Sequence, residues 1–216
     1  MLTYICTMLL VGLFAGILGA LLGLGGGIVI TPVLTLLFGV DIKYAVGASI
    51  IAVLATSSGS AIAYLKDDML NLRIALEIFT TLGAFVGAVL SVITDSQFLF
   101  LLYGALMLFQ AFNMYQKIRS KKEEHLPSQN DAIAEKLNLS GEYFDKGLNR
   151  TIKYQVANVS GGSVVMFFAG VMSALLGIGA GAFKVLAMDT VMKMPLKASS
   201  ATANFMMGVT ATASAL

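Results

Sequence analysis

Lys184, Asn204 and two glycine clusters are the residues of this 216-residue chain best suited to chemistry. Lys184 stands three residues after Gly181, in a stretch otherwise uncharged from 154 to 188, and Asp189 follows five residues on. An ionisable side chain among apolar neighbours is expensive in a bilayer and marks a functional site. The plainer reading is a lysine whose stem snorkels to the interface. Asn204 lies in an apolar, small-residue segment, and its amide has two donors and two acceptor sites that one helix cannot satisfy. The hydroxyls of Thr31, Ser49 and Thr202 can bond back to the preceding turn or donate to a ligand. Among the glycines, Gly25, Gly26 and Gly27 fall inside "GALLGLGGGIVITPVL" (19–34), and Gly177, Gly179 and Gly181 inside "ALLGIGAG". Each glycine weakens a helix by roughly 1 kcal/mol relative to alanine. Close helix packing by small-xxx-small spacing explains Gly12 with Gly16 and Gly19 with Gly23. A three-glycine run followed four residues later by Thr31-Pro32 reads instead as unwound backbone. The N–H groups that open the next half-helix, near Ile28 and Ala182, would offer partial positive charge to an anion.

The elements that must carry these residues are membrane helices. The chain is 57% hydrophobic and 12% charged, with a mean hydropathy of +0.85, against about 25% charge in a soluble domain. Fourteen of the 26 charged residues fall in 117–153, and uncharged runs fill 1–40, 44–65, 78–94, 96–116 and 154–183. About 20 apolar residues suffice to cross a bilayer. The sequence therefore predicts an all-α polytopic membrane protein, with segments at 3–22, 28–39, 44–65, 72–94, 97–117, 161–192 and 198–216. The polar insert carries a short helix over Ala132–Leu139. A β-hairpin is expected in "GEYFDKGLNRTIKYQVANV", where polar and apolar residues alternate around Asp145-Lys146-Gly147. Retention of the first helix is expected, because 1–22 lacks a basic start and its apolar pattern runs past residue 30.

The chain repeats itself. Residues 14–27, "FAGILGALLGLGGG", match 168–181, "FAGVMSALLGIGAG", at nine of fourteen positions, and the same offset of 154 pairs Lys43 with Lys197, Thr56 with Thr210 and Ser60 with Ser214. Domains are accordingly expected at 1–117 (repeat 1), 118–160 (polar cytoplasmic insert) and 161–216 (repeat 2, short by about two helices). Glycine-broken segments at matching positions of two repeats are the sequence pointer to a transporter's substrate site. Eight Lys/Arg in 117–153 put the insert inside the cell by the positive-inside rule, and the rule favours inverted repeats over parallel ones.

"GILGALLGLGGGIVITPVL", the following "KYAVGASIIAVLATS" and the later "LLGIGAGAFKVLAMD…MPLKASSATANFMMG" resemble the TauE/SafE family of sulfite-exporter-like membrane permeases. The likeness covers roughly 8–117 and 165–216. The second motif departs from the first, with Ala180 replacing the middle glycine and Leu186 standing where the first half has Pro32. The resemblance implies about eight helices in two repeats and movement of small anions, with sulfite, sulfoacetate and related organosulfur compounds as substrates.

The expected function is a secondary transporter for small anions in the cell membrane, working by alternating access. Its substrate site would draw on Gly25, Gly26, Gly27, Thr31, Ser49, Gly179, Gly181, Lys184, Thr202 and Asn204. A passive anion channel and a membrane scaffold without transport are the alternatives. No ATP-binding motif, cofactor motif or metal-ligand spacing is present, and no nucleophile–base constellation argues for an enzyme. His125, beside Glu123 and Glu124, reads as solvated. Cys6 is a single cysteine and makes no internal disulfide. Glu77 is expected to pair with Arg73 one helix turn away or to snorkel. Expected partners are the anion, the bilayer and, in principle, further copies of the chain. With a net charge of +2 and no basic stripe, nucleic acid is not among them.

Overall fold

The computed structural model describes residues 2–22, 25–66, 76–119, 131–137, 139, 141–145 and 149–215. The first helix, α1 (Leu2–Leu22), precedes a short α2 (Gly27–Pro32) that runs on as a π-helical stretch, Val33–Leu37. Then come α3 (Ile42–Lys66), α4 (Glu77–Ile93) and α5 (Ser96–Arg119). After the polar stretch, α6 (Ala132–Lys136) and an antiparallel hairpin, β1 (Gly141–Asp145) and β2 (Arg150–Tyr154), lead to α7 (Val159–Leu176). The chain continues through α8 (Gly181–Leu186), a π-helical stretch Ala187–Val191, and α9 (Leu196–Ser214).

Among the described residues, three helical stretches, Ile42–Ile62, Ser96–Asn113 and Val159–Leu176, are long and apolar enough to cross a membrane. Cys6–Ala20, Gly27–Leu37 and Glu77–Ile93 are apolar but shorter. The outward surface fits a lipid solvent, since Leu9, Leu13, Leu36, Val92, Leu101 and Leu108 are all exposed. Lipid offers no hydrophobic drive for helices to associate, so close backbone packing must supply it. The extensive α4–α7 contact shows how: a methyl group on Gly83 would sit 2.1 Å from the Phe167 carbonyl oxygen, and one on Gly170 2.0 Å from that of Thr80. The small-residue packing expected at Gly12 and Gly16 is not found. Gly12 has nothing within 4 Å and Gly16 meets Thr56 loosely at 3.9 Å. Gly19 does pack, against the backbone of Gly25 and Gly26, while Gly23 lies outside the described residues.

Element boundaries recur at one spacing. The ends of α1 and α7, the bounds of α2 and α8, both π-helical stretches and the starts of α3 and α9 each lie 154 residues apart. Left-handed backbone follows the same spacing, at Gly25 (φ 75°) and Gly179 (73°), Gly26 (75°) and Ala180 (56°), and Gly39 (65°) and Lys193 (58°). Alanine and lysine hold a conformation that disfavours a Cβ, so the surrounding structure, not glycine alone, imposes the break.

The polar insert is docked on the membrane helices. Asp131 caps α6 by accepting from the Ile133 N–H at 2.9 Å and also accepts from the Val159 N–H at 2.8 Å, tying the insert to the first turn of α7. Those two N–H groups hold its carboxyl below the usual carboxylate range. The hairpin pairs Tyr143 with Ile152 and Gly141 with Tyr154. Its buried Tyr143 and Tyr154 join Leu139, Val156, Met188, Met192, Met194 and Met206 in one apolar cluster.

Candidate functional site

The two glycine segments are interrupted helices that face each other. A methyl group on Gly25 would lie 2.7 Å from Met207 Sδ and 3.1 Å from Val53, and one on Gly179 2.6 Å from Val53 and 3.3 Å from Met207 Sδ. Val53 and Met207 are themselves 154 residues apart, and both are fully buried. They fill the space between the breaks. Gly27 completes the contact, because a methyl group there would sit 2.4 Å from the Gly177 carbonyl oxygen.

Breaking a helix frees backbone groups that must find partners away from water, and several side chains serve this purpose. Ser49 Oγ lies 2.7 Å from the carbonyl of Gly177 and 2.8 Å from that of Val46, and its single O–H is shared between them. Asn204 Nδ2 donates to the Ala20 carbonyl at 3.0 Å, among the last carbonyls of α1, and Ser57 Oγ donates to the Asn204 carbonyl. Pro32 has no N–H and so leaves the Ile28 carbonyl without its partner four residues on. The Tyr103 hydroxyl, reaching in from α5, donates to that carbonyl at 2.9 Å.

Lys184 does not snorkel. It is fully buried, and its ammonium is 3.0 Å from Glu77 Oε1 and 2.8 Å from Oε2, with a further bond to Thr210 Oγ1. Glu77 is 2% exposed and also accepts from the Thr80 hydroxyl at 2.8 Å and from that of Thr210. This corrects the expectation that Glu77 reaches the interface; its other expected partner, Arg73, lies outside the described residues. Lysine without this carboxylate would be an unpaired charge in a low-dielectric interior, so burial and pairing require each other.

Two of the sequence-predicted residues carry buried polar atoms without a hydrogen-bond partner, Thr202 Oγ1 and Asn204 Oδ1, while Thr31 Oγ1 faces the Tyr103 hydroxyl. Native structures rarely leave such atoms unpaired, and each exception asks for a reason. Thr202 lines a cavity of about 20 Å³ with Leu76, Met188, Met192, Met194 and Met206, closed on the insert side by Leu139 and Val156. That is room for one water molecule and too little for a sulfur oxyanion.

The structure therefore brings Gly25, Gly27, Ser49 and Gly179 together around the breaks. Lys184 on α8 bonds to Glu77 on α4 and Thr210 on α9, and Thr202 on α9 lines the small cavity. Gly26 packs on the Ala15 carbonyl of α1, at 2.9 Å from an added methyl. Gly181 is buried at the start of α8, Thr31 is on the α5 side near Tyr103, and Asn204 bridges to α1. Sequence reading missed Glu77 and Thr210 as partners of Lys184, and Thr80 as a partner of Glu77. The one available signal was that Glu77 opens an apolar helix with no other charge.

The sequence model of the family described as Sulfite exporter TauE/SafE matches residues 8–216. Among curated proteins, the chain is 30% identical over 207 residues to the probable membrane transporter protein YunE of Bacillus subtilis, covering 92% of this chain and 72% of that one. It is 31% identical over 115 residues to the probable membrane transporter protein MJ0441 of Methanocaldococcus jannaschii, with 50% and 43% covered. A probable membrane transporter protein of Xylella fastidiosa is 38% identical over 101 residues, with 45% and 37% covered. No solved structure matches.

Proposed function

The chain belongs to the sulfite exporter TauE/SafE family of membrane transporters, and from that premise we propose that it is a multi-pass secondary transporter of small anions in the cell membrane. Sulfite and related organosulfur anions are the substrate class. The two halves, 1–117 and 161–216, act as inverted repeats that rock about their shared breaks, with the insert 118–160 on the cytoplasmic side. The observation that carries this reading is the meeting of two helix interruptions, 154 residues apart, the second followed three residues after Gly181 by a buried cation, Lys184.

In this arrangement Val53 and Met207 close the passage between the breaks. Parting them opens a path on which Lys184 supplies the positive charge, Thr202 a hydroxyl donor, and the backbone at Gly25–Gly27 and Gly179–Gly181 further N–H groups. Asn204 turns its unpaired carbonyl oxygen to the path as it opens, and Ser49 keeps the Gly177 carbonyl satisfied throughout. A ligand that binds only the folded protein raises its apparent stability by mass action. Purified full-length protein should therefore melt higher with sulfite, sulfoacetate or thiosulfate than with matched chloride or acetate. Equal melting in all of them at millimolar concentration ends the substrate assignment.

A further inference from the structure

An ammonium group has three N–H donors, and in Lys184 all three are taken, by both carboxylate oxygens of Glu77 and by Thr210 Oγ1. The Glu77 carboxylate has about four acceptor sites, which two bonds from Lys184 and one each from Thr80 and Thr210 fill. The cluster is thus neutral, buried and saturated. In this form Lys184 has no donor left for a ligand. An anion added to the cluster would create a net buried negative charge, the arrangement a protein interior tolerates least. A single proton on Glu77 removes that charge and frees the Lys184 donor held at the protonated oxygen, while the other oxygen can still accept.

We propose that Glu77 is the proton-coupling residue of the transport cycle, its protonation freeing Lys184 to hold the translocated anion. This rests on the transporter reading and names its coupling ion. The step balances without covalent change in the anion. A proton from solution adds to one Glu77 Oε, the new O–H donates to the hydroxyl oxygen of Thr80 or Thr210, and the freed Nζ–H passes to an anion oxygen. When the anion leaves, Glu77 gives up the proton and the pair reforms. The cluster with a bound monoanion and a proton is again neutral, so anion and proton travel together and the transport is electroneutral.

Among the described residues, the neighbourhood contains little else that could take the proton. No residue of α7 is titratable, and α4 has none after Glu77. On α9 the one charge is Lys197, thirteen residues from Thr210, about 20 Å along the axis at 1.5 Å per residue. Asp189, on the π-helical stretch after α8, is partly exposed and five residues past Lys184. The water-sized cavity walled by Leu76, Met188 and Met206 holds the unpaired Thr202 hydroxyl.

The test is radiolabelled sulfite uptake into proteoliposomes of the full-length protein, with protein-free liposomes subtracted. A pH gradient and a membrane potential are imposed separately. Wild type should accumulate sulfite about tenfold per unit of inwardly directed proton gradient, and an imposed potential should change the rate by less than twofold. Glu77→Gln should lose the pH-driven accumulation, its residual flux now following the potential, an exchange of driving force that loss of structure alone cannot produce. Glu77→Gln/Lys184→Met leaves no lone buried charge, guards against misfolding of the single variant, and should also lose pH-driven accumulation. Wild-type flux that follows potential and ignores the pH gradient overturns the coupling while the transporter reading stands. So does pH-driven accumulation that survives in either variant. Wild-type flux no greater than that of protein-free liposomes overturns the transporter reading itself.

Discussion

Replacing Thr202 by valine keeps the shape of the side chain and removes its hydroxyl, which makes it the sharpest probe of whether this residue serves the fold or a ligand. Thr202 is 6% exposed, and its Oγ1 has no hydrogen-bond partner. Burying an unpaired hydroxyl costs about 1–3 kcal/mol. Valine should therefore stabilise the protein, by an amount near the lower end if water reaches the roughly 20 Å³ cavity beside it. Loss of a donor to a charged acceptor costs about 1.5–3 kcal/mol of binding, or roughly 10- to 150-fold in affinity. Stability and affinity should thus move in opposite directions. Unfolding midpoints in detergent give the first quantity, and sulfite-dependent shifts of the same midpoint give the second. A variant that is less stable than wild type by more than about 1 kcal/mol, yet binds sulfite equally well, refutes the reasoning and makes Thr202 a packing residue.

Four further outcomes follow from the same geometry. Lys184→Met leaves the Glu77 carboxylate unpaired and should cost about 3–5 kcal/mol, while adding Glu77→Gln should recover most of it; a double-mutant cycle by denaturant titration checks this. Tyr103→Phe orphans the Ile28 carbonyl and should cost about 1–3 kcal/mol, but Pro32→Ala restores an N–H four residues on, so the double variant should lose less than the single one. Gly83→Ala and Gly27→Ala drive a methyl into backbone 2.1 and 2.4 Å away and should unfold the protein or expel a helix, whereas Gly47→Ala meets nothing within 4 Å and should stabilise α3 by about 0.5–1 kcal/mol. Because its folded carboxyl is held below the ordinary value, Asp131 contributes stability above about pH 4 that is lost as pH falls through the lowered value. Hydrogen-exchange protection at Val159 should fall in that range in wild type and should already be absent at neutral pH in Asp131→Ala.

Local pattern carried much of the architecture. The glycine clusters announced both interruptions, alternation announced the hairpin at 141–154, and the 154-residue offset anticipated the matching element bounds. What escaped was contact between residues far apart in the chain. Glu77 and Lys184 are 107 residues apart, and nothing in helical periodicity says which buried carboxylate meets which buried lysine. Gly83, Gly87 and Gly170 were overlooked as the tight helix seam because glycine spacing within one helix does not name the partner backbone. Gly12, with the same kind of spacing, packs on nothing. The partner of the Ile28 carbonyl was equally hidden. Pro32 reveals that a bond is missing, but only the fold identifies Tyr103 as its replacement. Docking of the insert through Tyr143, Tyr154 and Val156 could not be read from a stretch whose charge density suggests an independent element.

The central claim is that an anion passes between the facing breaks when Val53 and Met207 separate. The most direct measurement is saturable sulfite flux through proteoliposomes of the full-length protein, comparing wild type with Thr202→Val and with Asn204→Ala at matched incorporation and verified folding. Flux that saturates in wild type, with its half-saturating concentration raised at least tenfold in Thr202→Val, is the result predicted. Saturable flux of equal affinity in wild type and both folded variants would contradict it.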